Sequence, residues 1–474
     1  MPMSSETTKL PFKIKLSYSM GQIGDSLGYN MYFFFFLFFL TDYVGVPPAL
    51  AGTISLVAIL WDAVFDPVVG HISDNMRSKY GRRRPLMIMA ALPYSIFAFL
   101  IFNSISLVTQ ATFIYFLIMT ILFWSSYKFF VIPYFALGAE LTNDFNERTT
   151  LRAWSSVGLY VAVMVASALP PYLLALFEKS GMSGQLSWRI IGGIFAVGIL
   201  LSAFICWHFT RGKEIYKHEE QKNNTMKKSS LVKALAQIVK LKPTKFLAGS
   251  VFFWAVASTM AMGGLIYLMK YNLGYGAERQ SLYFIINSLV CIVWIVFINK
   301  TARHFDKKHV YACFLGIGSL GLLLFSMTGF PSFAILLIFC VVFCLGDSTY
   351  WTLYYSMMYD ICELDEYVND SRREGVVTAV MSFSQKLGAA CATWITGMLL
   401  AFGGYEGAIE NQSESAHQMI LYVNTLMPGI FGSLAVLAIL FYPITKKRFD
   451  SMMTALHAKR SHKKYSEEDF KDML

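Results

Sequence analysis

Apolar positions along this chain do not alternate with polar ones. They run together in blocks long enough to cross a bilayer as helices, which takes about 20 residues each. The blocks fall near 14–42, 47–73, 85–104, 109–138, 151–177, 188–210, 244–272, 280–299, 309–328, 332–361, 375–403 and 417–444, and predict an all-α membrane protein with twelve transmembrane helices. The stretch 211–243 is polar, rich in lysine, and separates six blocks from six. The expected organisation is therefore a six-helix bundle over 1–210, a linker over 211–243, a second six-helix bundle over 244–446 and a tail over 447–474.

Composition agrees with lipid as the solvent. Hydrophobic residues make up 55% of the 474 and charged residues 15%, against about a quarter charged in soluble domains. The net charge of +10 could suggest nucleic acid, but its distribution excludes that reading. With the N-terminus cytoplasmic, 34 Lys and Arg fall in inward segments, and only Lys179, Arg189, Lys270 and Arg279 fall outward. Positive charge accumulates on the cytoplasmic side of membrane proteins, so both termini are expected there, in the cell (inner) membrane. The first apolar run is too long to be a cleaved leader and is expected to remain as a span. The seven cysteines sit in or beside apolar blocks without metal-ligand spacing, so no disulfide or metal centre is expected.

Chemistry concentrates in a few intramembrane charges, which are costly in a bilayer and therefore functional by default. In Trp61-Asp62-Ala63-Val64-Phe65-Asp66-Pro67 the two acids are four residues apart and project from one helix face. Pro67 cannot donate to the carbonyl of Ala63, which frees a third oxygen beside them. The site suits Na⁺ or H⁺, the alternative being a structural salt bridge. Lys128 lies mid-span in Ser126-Tyr127-Lys128-Phe129, and Lys386 about three turns into the eleventh block. Each must face an acid or a polar cavity. Pairing with Asp62 and Asp66 is expected for Lys128; for Lys386, pairing and binding of an anionic substrate stay open.

Asp25 and Ser26, followed by Tyr29, lie on a glycine-rich stretch of the first span, and Tyr127 precedes Lys128; with Arg152 they are candidate substrate-binding residues. Trp351 and Tyr355 stand mid-span after Gly346-Asp347, where aromatic rings beside polar groups suit a ligand wall. Most of the aromatic run from Tyr32 to Phe39 is expected to face lipid. Two loops at matching places, Asp74 through Arg84 and Ala302 through Lys308, repeat an acid followed by basic residues, as in transporters built from parallel repeats of six spans. Asp74, Arg77, Arg83, Glu140, Arg148, Asp360, Glu363 and Arg373 are candidate gate residues. Neither a phosphate-binding loop nor a nucleophile triad nor zinc-spaced histidines stand out, so neither an ATP-driven pump nor an enzyme is expected.

These residues resemble the glycoside–pentoside–hexuronide:cation symporter family, the melibiose-transporter group of the major facilitator superfamily. The resemblance covers essentially the whole chain. It rests on Lys15-Leu16-Ser17-Tyr18, Thr41-Asp42, Trp61-Asp62-Ala63 with Asp66-Pro67, Gly81-Arg82-Arg83-Arg84-Pro85, Pro133 through Thr142, Glu147-Arg148-Thr149, Trp351, Asp360, Glu363/Asp365/Glu366, Arg373-Glu374-Gly375 and Lys386. It implies two bundles of six helices with alternating access, Asp62 and Asp66 as the cation-site acids, Trp351 as an aromatic of the sugar pocket and Lys386 as the eleventh-span lysine that links the halves. Arg152 lies about one turn from the family's fifth-span arginine.

The departures carry information. Where melibiose-type members have an Asn before the second cation-site acid, this chain has Phe65. Where a fourth-span Thr helps to hold Na⁺, it has Lys128. The first-span sugar-binding acid falls at Ser26, beside Asp25, and the fourth-span one at Val131. An ammonium at Lys128 would compete with Na⁺. The expected function is a symporter that imports a sugar or sugar derivative, with an acidic uronide-like sugar as a candidate, coupled to H⁺ more readily than to Na⁺. Na⁺ at Asp62 and Asp66 is the alternative ion. The alternative readings are a symporter of a lysolipid or other amphipathic solute, and a transport-dead membrane sensor. The expected partners are the small-molecule substrate and membrane lipids, with no cofactor, no nucleic acid and a monomeric state.

Overall fold

Local chemistry sets many helix ends. Prolines stand in the first turn of the second, third and eighth helices, where a missing amide hydrogen costs nothing. Ser183, Asp306 and Ser332 cap three others by accepting from the backbone amides of Leu186, Lys308 and Ile335. The computed structural model describes residues 10–76, 83–105, 108–142, 145–211, 228–370, 373–407, 409, 411–460 and 469–473. Arg77 and the side chains of Asp74 and Arg148 lie outside the described residues.

The described residues are helical in order α1 (Phe12–Phe39), α2 (Pro48–Asn75), α3 (Arg84–Leu100), α4 (Thr109–Glu140), α5 (Phe145–Lys179), α6 (Gly184–Phe209), α7 (Lys228–Lys240), α8 (Lys242–Tyr267), α9 (Ala277–His304), α10 (Lys307–Thr328), α11 (Phe333–Asn369), α12 (Glu374–Phe402), α13 (Glu414–Asn424), α14 (Leu426–Leu440) and α15 (Lys446–Arg460). π-helical turns over Leu40–Val44 and Leu268–Asn272 extend α1 and α8. Among the described residues ten segments are long and apolar enough to span a bilayer, the pair α13–α14 forming one of them. Helix α3 is apolar but has 17 residues. Helix α12 has 29, but Ser384, Gln385 and Lys386 interrupt its apolar run.

The chain divides into two compact units. The first comprises 1–220, 269–288 and 400–416, so it takes in two segments from the sequence range expected for the second bundle. The contacts that draw them in are specific. Lys270, Tyr271 and Tyr405 all reach Asp42, and the Ser281 hydroxyl donates to the Ala168 carbonyl at 2.8 Å. Within this unit α1 packs chiefly on α5 and α6, while α3 and α4 pair, and α2 lies on α4. One consequence corrects the expectation for the aromatic run. Tyr32, Phe35, Phe36, Phe38 and Phe39 are buried in protein. Tyr32 stacks on Phe36 with centroids 4.6 Å apart, and Phe35 and Phe39 each meet Trp188 at 5.7 Å. A helix enclosed by neighbours can be apolar on every face without touching lipid.

The α1–α5 contact is close because position 158 has no side chain. A Cβ there would sit 2.6 Å from both the Ser19 carbonyl oxygen and its hydroxyl. Gly158→Ala should force the two helices apart and cost about 1–3 kcal/mol. Thermal unfolding in detergent measures it; an unchanged midpoint would refute the close-packing argument.

The second unit comprises 221–268, 289–399 and 417–474. Here α8 packs on α14, and α10 on both α11 and α14. The expected linker contains the amphipathic α7, whose Ala234 and Ile238 are buried with this unit's core. The expected tail is likewise docked: Met452, Ala455, Leu456, Phe470 and Met473 join the same core.

Candidate functional site

Helical periodicity on α2 sends Asp62 and Asp66 toward α4, where Lys128 meets both. The ammonium lies 3.1 Å from Asp62 Oδ1 and 3.0 Å from Asp66 Oδ1. Side-chain exposure is 8% for Lys128, 4% for Asp62 and 35% for Asp66. One ammonium is thus shared by two carboxylates, and Asp66 is the more accessible of them. The surroundings are aromatic. Phe65 stacks on Trp61 at 5.3 Å and meets Phe129 edge-on at 5.8 Å, and Trp61 Nε1 donates to Ser125 Oγ at 2.9 Å. Phe65 therefore serves packing, with no oxygen to offer a metal ion.

Asp25 is buried on α1. Tyr127 OH donates to its Oδ1 at 2.7 Å, and Gln22 Nε2 to its Oδ2 at 2.5 Å. Ser26 Oγ donates weakly to the same Oδ2 at 3.4 Å. Tyr29 packs its ring on Phe33, Trp124 and Tyr127. Arg152 is exposed, with its guanidinium 5.3 Å from the Phe135 ring centroid.

In the second unit Trp351 and Tyr355 are exposed and Lys386 is half-buried. Trp351 meets Tyr350 edge-on at 5.3 Å, and Tyr354 OH, on the same helix, donates to Gln385 Oε1 at 3.3 Å. Asp347, one turn before Trp351, accepts from Trp254 Nε1 at 3.4 Å.

Of the candidate gate residues, Arg83, Glu140, Asp360 and Arg373 form pairs within their own units. Arg83 Nε donates to Glu140 at 3.0 Å and its Nη1 to Ser73 at 2.7 Å. Asp360 accepts from Lys307 at 2.9 Å through both oxygens. Arg373 forks onto Asp365 at 2.9 and 2.5 Å and reaches Gln237 on α7 at 2.6 Å. Asp365, fully buried in its side chain, is thus the acid of the Glu363/Asp365/Glu366 cluster that receives Arg373, and its carboxylate pushes the guanidinium pKa further up. Glu363 is half-buried one turn beyond Asp360.

Two constellations were not legible in the sequence. Gln22 and Ser155 join Asp25 to Tyr134: Ser155 Oγ donates to Gln22 Oε1 at 3.0 Å and lies 3.0 Å from Tyr134 OH. Asp42 is surrounded by Lys270 at 2.6 Å, Tyr271 OH at 2.5 Å and the Tyr405 hydroxyl. Its only sequence signal was its place in Thr41-Asp42.

Comparison with known proteins places this geometry in context. A family model described as MFS/sugar transport protein matches residues 17–446. An inner membrane symporter of Escherichia coli (strain K12), YicJ, is 26% identical over 458 residues, covering 96% of this chain and 96% of that protein. A glucuronide carrier protein homolog of the same organism is 23% identical over 453 residues, covering 94% and 96%. The crystal structure of a D-xylose-proton symporter aligns with a TM-score of 0.66 at 17% identity, covering 91% of this chain and 97% of that one, a likeness of fold.

Proposed function

The chain belongs to the MFS/sugar transport protein family, and from that premise we propose that it imports a sugar or sugar derivative by symport with H⁺. The proposed architecture is twelve spans in two bundles, 1–210 and 244–446, with both termini cytoplasmic and alternating access between the bundles. The positive charge on the inward segments and the family match support it, as does a relative named as an inner membrane symporter.

The observation that carries the choice of ion is the ammonium of Lys128 lying within 3.1 Å of both Asp62 and Asp66. A Na⁺ ion would have to displace a tethered cation from the oxygens it needs. A proton needs no such vacancy: it binds one carboxylate, most readily the accessible Asp66, and leaves Lys128 paired with Asp62. The bilayer then holds a neutral pair in place of a net negative triad, which lowers the cost of moving the helix past its neighbours. Trp351, Tyr355 and Lys386 supply aromatic walls and a cation suited to an acidic sugar, and a relative carries the name glucuronide carrier protein homolog.

Uptake into proteoliposomes tests this, with neutral pentosides and hexosides beside methyl glucuronide, under separate pH and Na⁺ gradients. Wild type should accumulate the glucuronide when the exterior is acidic, indifferent to Na⁺. Asp66→Asn, fixed in the protonated form's charge, should lose accumulation. Na⁺-stimulated uptake in wild type, or full accumulation by Asp66→Asn, would overturn the reading.

A further inference from the structure

We propose that Asp25 is a second proton-binding site, separate from the Asp62/Asp66 pair, and that it holds its proton inside a hydrogen-bond chain that satisfies both charge states. The transport arm of its test rests on the symporter reading; the spectroscopic arm does not.

The first observation is the lack of a counter-charge. Asp25 is 6% exposed, and among the described residues it makes no ion pair. The charged and titratable groups that act on it are Tyr18 on its own helix, Tyr94 on α3, and Tyr127, Lys128 and Tyr134 on α4. From α6 the Cys206 thiol lies beside Gly21, while Asp62 and Asp66 on α2, whose charge is of the wrong sign, meet Lys128. From α5 the group that reaches the network is the neutral Ser155, while Arg152 is exposed and turned to Phe135. Phenols and thiols are neutral near pH 7. That leaves Lys128, and its ammonium already bridges two carboxylates. A buried carboxylate without a partner charge is resolved by taking up a proton.

The second observation is that the surroundings can host that proton. The Tyr94 phenol of α3 reaches this stretch of α1 because Gly28 has no side chain: a Cβ there would lie 2.1 Å from Tyr94 OH. Tyr127 donates to Oδ1, so the proton belongs on Oδ2, which faces the amide of Gln22. An amide can present either end. With Asp25 ionised, Gln22 Nε2 donates to Oδ2, Ser155 donates to Gln22 Oε1, and Tyr134 donates to the Tyr18 carbonyl. With Asp25 protonated and the amide turned over, Oδ2–H donates to Gln22 Oε1. Gln22 Nε2 then donates to Ser155 Oγ, Ser155 donates to Tyr134, and Tyr134 still donates to Tyr18. Each state leaves these polar groups paired, so the buried acid can change charge without stranding a neighbour. The chain runs through α1, α4 and α5, so the protonation state sets the direction of hydrogen bonds between three helices.

Infrared difference spectroscopy on the purified protein in detergent tests the site with protons as the only ligand. On passing from alkaline to mildly acidic pH, wild type should develop the carbonyl stretch of a protonated carboxylic acid in an apolar setting, shifted by deuterium exchange. Asp25→Asn should remove that band, whereas Asp66→Asn should leave it. The isosteric Asn can still accept from Tyr127. In proteoliposomes loaded with whichever sugar wild type carries, Asp25→Asn should lose accumulation driven by a pH gradient but retain counterflow exchange at equal pH, and Asp25→Glu should restore accumulation. A wild-type spectrum identical to that of Asp25→Asn would overturn the proposal. So would an Asp25→Asn protein that accumulates sugar as wild type does, or one that loses counterflow along with accumulation, since a residue that binds the sugar itself would do the latter.

Discussion

Lys128→Ala should unfold at a markedly lower temperature than wild type and should take up no sugar. The substitution removes the cation from a site where two carboxylates remain. Asp62 is almost wholly enclosed, so its charge cannot be rescued by water. Breaking a buried pair by deleting one partner costs about 3–5 kcal/mol. The cost here belongs near the lower end, because Asp66 is partly open and can take up a proton. The double variant Lys128→Ala with Asp62→Asn removes the stranded charge together with its partner and should recover much of the lost stability while remaining inactive. Lys128→Thr replaces the ammonium by a hydroxyl oxygen beside two carboxylates, a donor set suited to Na⁺. That variant should gain stability and uptake from added NaCl, which wild type should not. Thermal unfolding and proteoliposome uptake of the three variants, each with and without NaCl, read all of this. Wild-type stability in Lys128→Ala, or an equal response to NaCl in wild type and Lys128→Thr, would show that the ammonium does not hold the site.

That site was legible because its determinants are local or forced. The four-residue spacing of Asp62 and Asp66 fixes a common face once the segment is helical, and a lysine near the middle of a span must find an acid or a polar cavity. Ten of the twelve expected spans were legible for the same reason: a helix in lipid satisfies its own backbone, so length and apolarity suffice. What stayed hidden depends on which helices touch. The phenylalanines from Phe33 to Phe39 read as lipid-facing because a sequence shows apolarity but not what supplies it with contacts; α1 turned out to be wrapped by α5 and α6. Among Glu363, Asp365 and Glu366, charge alone could not single out Asp365 as the acid that turns inward to Arg373. Gln22 and Ser155 were passed over because neutral polar residues carry no cost signal in a sequence, although between them they decide what Asp25 can do. Lys270 reads in the sequence only as one of four outward basic residues; that it is the counter-ion of Asp42, 228 positions away, depends on the fold.

Lys270→Ala is accordingly the second large effect to expect. The Asp42 side chain is fully enclosed, at the π-helical turn that ends the first span. Its oxygens are met by the ammonium of Lys270 and by the hydroxyls of Tyr271, Tyr405 and Thr41. Three hydroxyls can hydrogen-bond a carboxylate, but they cannot neutralise it. Removing the ammonium should therefore cost about 3 kcal/mol, the lower end for a broken buried pair because Lys270 is itself about one-third exposed. Tyr405→Phe should cost about 1.5–3 kcal/mol, the worth of one hydrogen bond to a charged group. The two losses should not add, because both weaken the same carboxylate. Asp42→Asn in the Lys270→Ala background should recover stability by removing the stranded charge. The segments carrying Lys270 and Tyr405 join the first unit through these contacts, so the loss should be read most sharply there. A cysteine placed at Ser281 should become faster to label when Lys270 is Ala. Full stability and unchanged labelling in Lys270→Ala would mean that the phenols alone hold Asp42 in place, and that the ion pair contributes nothing to closing this end of the unit.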